Sequence, residues 1–87
     1  KKTLVIGMGL SGRSVALTLL RMQKKVMGVD KSYLMLQNDP QILSLIESGL
    51  ELVSDTYPVP LQEIDLAIVS PGISPDHLLL KALNSTE

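Results

Sequence analysis

The chain contains no cysteine, so no disulfide staples it and no thiolate can ligate a metal. It has one histidine, His77, and no second histidine to complete a ligand set. His77 therefore reads as a surface residue in a first helical turn, not as a metal ligand. Tryptophan and phenylalanine are missing, and Tyr33 and Tyr57 are the only aromatic residues. Tyr57 sits in a proline-rich run and reads as a surface packer, not as a platform for stacking bases. Neither sign of charge dominates: 8 basic residues face 9 acidic ones, for a net charge of -1. That balance makes no electrostatic case for nucleic acid. The basic residues are also scattered, adjacent only at Lys1-Lys2 and Lys24-Lys25. No apolar run approaches the ~20 residues of a membrane span, and no signal peptide is visible.

What remains is the profile of a small globular unit. The 87 residues suit one domain or part of one, and 45% hydrophobic content with 20% charge separates the chain from disordered sequences. A core this size is limited and must pack well. The chain begins at Lys1, not at a methionine, and ends at Asn84-Ser85-Thr86-Glu87 without an obvious closing element. The expectation is a fragment of a longer protein.

The informative stretch is Leu4-Val5-Ile6-Gly7-Met8-Gly9-Leu10-Ser11-Gly12. A short apolar run passes through glycines into an amphipathic segment, which predicts a buried strand, a tight turn and a helix start. Gly7, Gly9 and Gly12 have the G-x-G-x-x-G spacing. In that pattern the first glycine takes the sharp turn. The second leaves the backbone open to a ligand, and the third lets the helix lie close to the sheet. The helix start then aims free N–H groups and a positive dipole end at an anion, typically a phosphate.

Along the chain, Thr3–Ile6 reads as the first strand, apolar on both faces as in a covered parallel sheet. A helix is predicted over 11–23, with Val15, Ala16, Leu19 and Leu20 as its buried stripe and Arg13 and Arg21 on the other side. Lys24 and Lys25 follow it as a solvated turn. Val26–Val29 is the second strand, ended by Asp30. An acid about 20 residues past the glycines fits a carboxylate that accepts from a ribose hydroxyl or a base N–H. Tyr33-Leu34-Met35-Leu36 is too apolar for a free loop and is expected to pack on the sheet edge. Asp39-Pro40 reads as a helix cap with proline in the first turn. Ile42, Leu45 and Ile46 then make a buried stripe, and Gly49 provides a left-handed stop. Leu50–Val53 is a third strand. Two prolines within Tyr57–Pro60 forbid regular pairing there. Leu61–Ile64 suggests one helical turn, and Leu66–Val69 a fourth strand. That strand ends in Ser70-Pro71-Gly72-Ile73, a second turn with exposed backbone. A last helix is predicted from a Ser74 cap through Leu78, Leu79, Leu80, Ala82 and Leu83. The four methionines keep no regular spacing and read as gap-fillers.

Alternating strands and helices predict an α/β, Rossmann-like three-layer domain. Its sheet should be mainly parallel, with about four strands and helices on both faces. The expected strand order is third, second, first, fourth. Ligands in such sheets bind beyond the carboxyl ends where the order reverses. That switch point brings the Gly7–Gly12 turn and the Ser70–Ile73 turn together, with Asp30 nearby.

The sequence Gly-Met-Gly-Leu-Ser-Gly at 7–12, Asp30 after the second strand, and Val-Ser-Pro-Gly-Ile at 69–73 together resemble the N-terminal domain of the Mur ligases of peptidoglycan synthesis. The resemblance spans essentially the whole chain. Within the family it is closest to the D-glutamate-adding branch, for which the Pro-Gly pair is the discriminating feature. It implies a domain that holds the UDP part of UDP-N-acetylmuramoyl-L-alanine. By this resemblance, the backbone at Gly9, Leu10 and Ser11, with Gly12 completing the turn, would contact the diphosphate. Asp30 would hydrogen-bond the uracil, with Lys31 and Ser32 beside it, and Gly72 would close the other wall. The family's ATP-binding loop, ending in Lys-Ser or Lys-Thr, is not in this sequence. ATP and Mg would belong to the central domain of a cytoplasmic parent enzyme, with that domain and a C-terminal amino-acid-binding domain as partners in the same chain. This domain itself is expected to bind no cofactor and to carry no catalytic group.

The residues leave two alternatives. One is the NAD-binding domain of a dehydrogenase, in which the glycine turn and Asp30 would look the same and Asp30 would hold a ribose. The other is a regulatory NAD-binding module of a transport protein. Such modules carry a Gly-Asp-Ala or Gly-Asp-Pro turn after the third strand, where this chain reads Val53-Ser54-Asp55-Thr56.

Overall fold

The computed structural model describes residues 1–71. Its elements run β1 (Lys2–Ile6), α1 (Leu10–Arg21), β2 (Lys25–Val29), α2 (Tyr33–Leu36), α3 (Pro40–Glu47), β3 (Glu51–Val53), a 3-10 turn (Leu61–Glu63) and β4 (Ile64–Val69). The four strands form one sheet in the order β3-β2-β1-β4, and every pairing is parallel. This is the α/β arrangement and strand order expected from the alternation of elements.

Successive side chains of a strand point to opposite faces, and β1 divides its apolar residues accordingly. Val5 faces a cluster with Val26, Ala16 of α1, Ile42 and Leu45 of α3, Met8 and Leu50. Leu4 and Ile6 face the other way, into a cluster with Met27, Val29, Val53, Val59, Ile64 and Ala67. Among the described residues, α1 and α3 thus share one face. Val59 and the start of β4 pack on the other, where the connection 54–63 contributes a single 3-10 turn. The helix predicted from Ser74, with His77 and Leu78–Leu83, lies outside the described residues.

Several local expectations shift. Helix α1 stops at Arg21, because Gln23 takes a left-handed φ of 62° that no helix continues. Lys25 is not part of a turn; it opens β2 and pairs with Lys2. Gly49 is left-handed, φ 116°, and Leu50 closes the end of α3 by donating to the Leu45 carbonyl at 3.0 Å. The segment after Asp30 does not pack as a whole. Leu36 reaches the helix-side core, but Leu34 and Met35 are 75% and 78% exposed on a helix of one turn. The α3 stripe is narrower than its spacing suggests, since Ile42 and Leu45 are buried and Ile46 is exposed. Tyr57 is exposed, in keeping with a surface position.

Asp39 caps α3. Its Oδ1 accepts the Gln41 N–H at 2.8 Å and, at 3.4 Å, that of Ile42, with Pro40 in the first turn. Desolvation works against its charge, but these two N–H groups and the Arg13 guanidinium outweigh it. They hold the carboxyl below its ordinary value of 3.8. A depressed carboxylate pKa stabilises the fold above the unfolded value and loses that contribution as pH falls through the folded one.

Two measurements follow from this packing. Ile42→Ala should cost about 2–5 kcal/mol in urea unfolding, whereas Ile46→Ala should change stability by roughly 0.5 kcal/mol or less. The stability gap between the native chain and Asp39→Asn should be full at pH 6 and shrink as the pH falls below 3.8, the ordinary carboxyl value. A gap that does not change with pH would remove the charge from this account.

Candidate functional site

The carboxyl ends of β1, β2 and β4 meet at the glycine turn. Gly7 has a φ of 93°, which turns the chain sharply off β1, and its N–H donates to the Val29 carbonyl at 2.7 Å. Gly12 packs so close to this corner that a Cβ there would run into the Gly7 carbonyl. Gly9 is the opposite case. A Cβ on it would meet nothing within 4 Å, and its φ of -76° suits any residue. The three glycines thus divide into a turn, an open approach and a close contact.

Helix α1 starts without a side-chain cap, and its first turn contains no acidic residue. Its first closing bond runs from the Arg13 N–H to the Gly9 carbonyl at 2.9 Å. The N–H groups of Leu10, Ser11 and Gly12 have no acceptor among the described residues. Leu10 and Ser11 are exposed there. Unpaired N–H groups at the positive end of a helix are a ready place for an anion.

Asp30 joins the end of β2 to this turn. Its Oδ2 accepts the Met8 N–H and its Oδ1 the Ser32 N–H, each at 2.8 Å. The carboxylate therefore has a structural duty that its spacing alone did not reveal: it fixes the turn and starts α2. An ionised carboxylate has about four acceptor positions, and the described residues use two of them. Ser32 is half-buried beside it and Lys31 is exposed. From the end of β4, the Ser70 N–H donates to the Ile6 carbonyl at 2.9 Å and Ser70 Oγ to the Gly7 carbonyl at 2.8 Å. The structure thus brings Gly9, Leu10, Ser11, Gly12, Asp30, Lys31, Ser32 and Ser70 to one end of the sheet. Gly72 and Ile73 lie outside the described residues.

Arg13 is the participant that its sequence position concealed. It reads as an outward residue of α1, yet its Nε donates to the Met8 carbonyl at 3.0 Å and its Nη1 to Gln41 Oε1 at 2.8 Å. Asp39 Oδ2 lies 3.1 Å from the same Nη1. The available hint was the capping pair Asp39-Pro40, whose carboxylate had no predicted cation. A groove of about 490 Å³ between α1 and α3 reaches this corner at Leu10 and Arg13 and continues along Leu17 and Leu45. It follows the helix face, away from the strand ends.

Comparison with known proteins places the chain in a family. The curated relatives include the UDP-N-acetylmuramoylalanine--D-glutamate ligase of Protochlamydia amoebophila, 47% identical over 81 residues, covering 93% of this chain and 18% of the relative. The protein of the same name from Chlamydia muridarum is 39% identical over 87 residues, covering 100% of this chain and 19% of the relative. That from Chlamydia trachomatis serovar L2 is 39% identical over 82 residues, with 94% and 18% covered. The chain therefore spans about a fifth of the length of the curated relatives it matches. The family model described as Mur ligase MurD-like, N-terminal domain, matches residues 1–87, and the chain belongs to that family.

Proposed function

We propose that this domain binds the UDP moiety of UDP-N-acetylmuramoyl-L-alanine. The parent protein would then join D-glutamate to that substrate in the cytoplasm, during peptidoglycan synthesis. The observation that carries the reading is the row of N–H groups at Leu10, Ser11 and Gly12 that have no acceptor among the described residues, beside the open backbone of Gly9. Backbone N–H groups recognise any diphosphate, so the turn alone does not choose between UDP and NAD. The choice falls to Asp30, whose remaining acceptor positions suit the uracil N3–H, a donor that adenine lacks. Lys31 and Ser32 stand beside it, and Gly72 is assigned the opposite wall. The names of the relatives favour the uridine ligand.

ATP and Mg are assigned to the rest of the parent chain. Among the described residues, no group of three His, Cys, Asp or Glu side chains is arranged to hold a metal ion. The domain's share of the reaction is to hold the UDP end of the substrate while the muramoyl-alanine carboxylate extends toward groups supplied elsewhere.

Titration calorimetry with UDP, UDP-N-acetylmuramoyl-L-alanine and NAD tests the assignment. The uridine compounds should bind more tightly than NAD, and tighter binding of NAD would replace this reading with the dinucleotide one. Gly9→Ala should leave the thermal midpoint unchanged and weaken UDP binding by about tenfold or more, because the new methyl group stands where the diphosphate approaches. Gly12→Ala should instead destabilise the fold by about 1–3 kcal/mol, since backbone must move to admit it. Asp30→Ala should weaken UDP binding about tenfold, corresponding to the low end of a charge-assisted hydrogen bond. Asp30→Asn should be nearly as harmful, because its NH₂ would face either the Met8 or the Ser32 N–H, or the uracil donor.

A further inference from the structure

An arginine one turn into a helix whose start is meant for a phosphate is the first candidate for a phosphate ligand. The geometry here assigns it another task. A cation near a helix N-terminus is disfavoured by the helix dipole, so Arg13 sits at the wrong end of α1 unless an anion accompanies it. Asp39 is that anion, at 3.1 Å, and it comes from the start of a different helix. The other contacts of Arg13 are protein oxygens: the Met8 carbonyl at 3.0 Å and Gln41 Oε1 at 2.8 Å. The side chain is only 19% exposed.

These contacts converge on Met8, the residue between the first two glycines. Its N–H is held by Asp30, its carbonyl by Arg13, and its side chain is fully buried above Gly28, where a Cβ would strike its sulfur. A residue fixed at both backbone polar groups and at its side chain sets the direction in which the next residues leave. Those residues are Gly9, Leu10, Ser11 and Gly12.

We propose that Arg13 is a positioning residue for the diphosphate site. Through Met8 and the Asp39–Gln41 start of α3, it holds the glycine turn so that the Leu10–Gly12 N–H groups are aimed before any ligand arrives. Its charge is matched by Asp39 and its Nε and Nη1 are engaged by protein oxygens, and in this role it acts on the ligand through the turn. The reference to a diphosphate rests on the proposed UDP reading; the bracing of the turn does not.

The test uses the full-length protein, with UDP as the calorimetric probe and amide hydrogen exchange of the Met8–Gly12 segment as a ligand-free readout. Arg13→Met should weaken UDP binding about tenfold and speed exchange in the segment by a similar factor. Arg13→Lys should restore little of either, because an ammonium cannot reach the Met8 carbonyl and Gln41 together. Asp39→Asn keeps the cap acceptor but removes the charge, and Gln41→Leu removes one anchor. Both should weaken UDP binding in the same direction, and neither should add fully to Arg13→Met. Gln41→Leu is mild enough to keep the test open if Arg13→Met fails to fold. Unchanged or tighter UDP binding in Asp39→Asn, with full rescue by Arg13→Lys, would make Arg13 a direct phosphate ligand and overturn the proposal. So would a lower thermal midpoint with unchanged exchange in the segment. If the native protein binds no UDP, the UDP reading fails, and the exchange measurements alone still decide whether Arg13 braces the turn.

Discussion

The site depends on how closely α1 approaches β1. The start of the helix can point at the carboxyl ends of the strands only if it leaves the sheet at once, and it does so by pressing Gly12 onto the Gly7 carbonyl. That contact leaves no room for a side chain. The Gly7 carbonyl still has to accept a hydrogen bond, and Ser70 Oγ provides one from the neighbouring strand. A single crowded corner thereby fixes the helix axis, the exit of β1 and the end of β4 relative to one another. Buried polar groups in such a corner have to be paired, and the described residues leave no buried side-chain N or O atom without a partner.

Around the corner, charge is used locally. Asp30 and Arg13 hold the N–H and the carbonyl of Met8, one anionic and one cationic. Asp39 then balances Arg13 and caps α3 with its other oxygen. Donors oriented in advance in this way would spare a ligand the free energy of ordering them.

The sequence made the frame legible because the frame depends on periodicity and on backbone chemistry. Alternation along β1, the stripe in α1, the Asp39-Pro40 cap and the Gly49 stop each follow from a local rule, and each local rule agreed with the parallel sheet. The glycine roles were legible for the same reason, since they concern space beside the backbone. What escaped was contact between elements distant in sequence. Nothing local told Arg13 that Asp39 would stand beside it, or showed that the Asp30 carboxylate would be occupied by Met8 and Ser32. Helical spacing could not reveal where the protein surface begins, so Ile46 was placed in a stripe that ends at Leu45. The apolar Leu34-Met35 pair suggested burial, although a helix of one turn has a single inward position, taken by Leu36.

The order of synthesis adds a consequence to this topology. Of the four described strands β1 is made first, but it lies inside the sheet between β2 and β4. The Ser70–Gly7 bond closes a span of 63 residues, among the least local contacts a chain this short can form. Non-local pairings come late in folding, because the loop they close must first be ordered. As the chain leaves the ribosome, α1, β2, α3 and β3 can therefore gather around β1 while its second edge is still bare. An apolar strand with an open edge is a template for foreign strands. The glycine turn gains its Ser70 bond and β1 its second neighbour in the same late event, so a nascent chain that lacks the one is also still exposed to mispairing at the other.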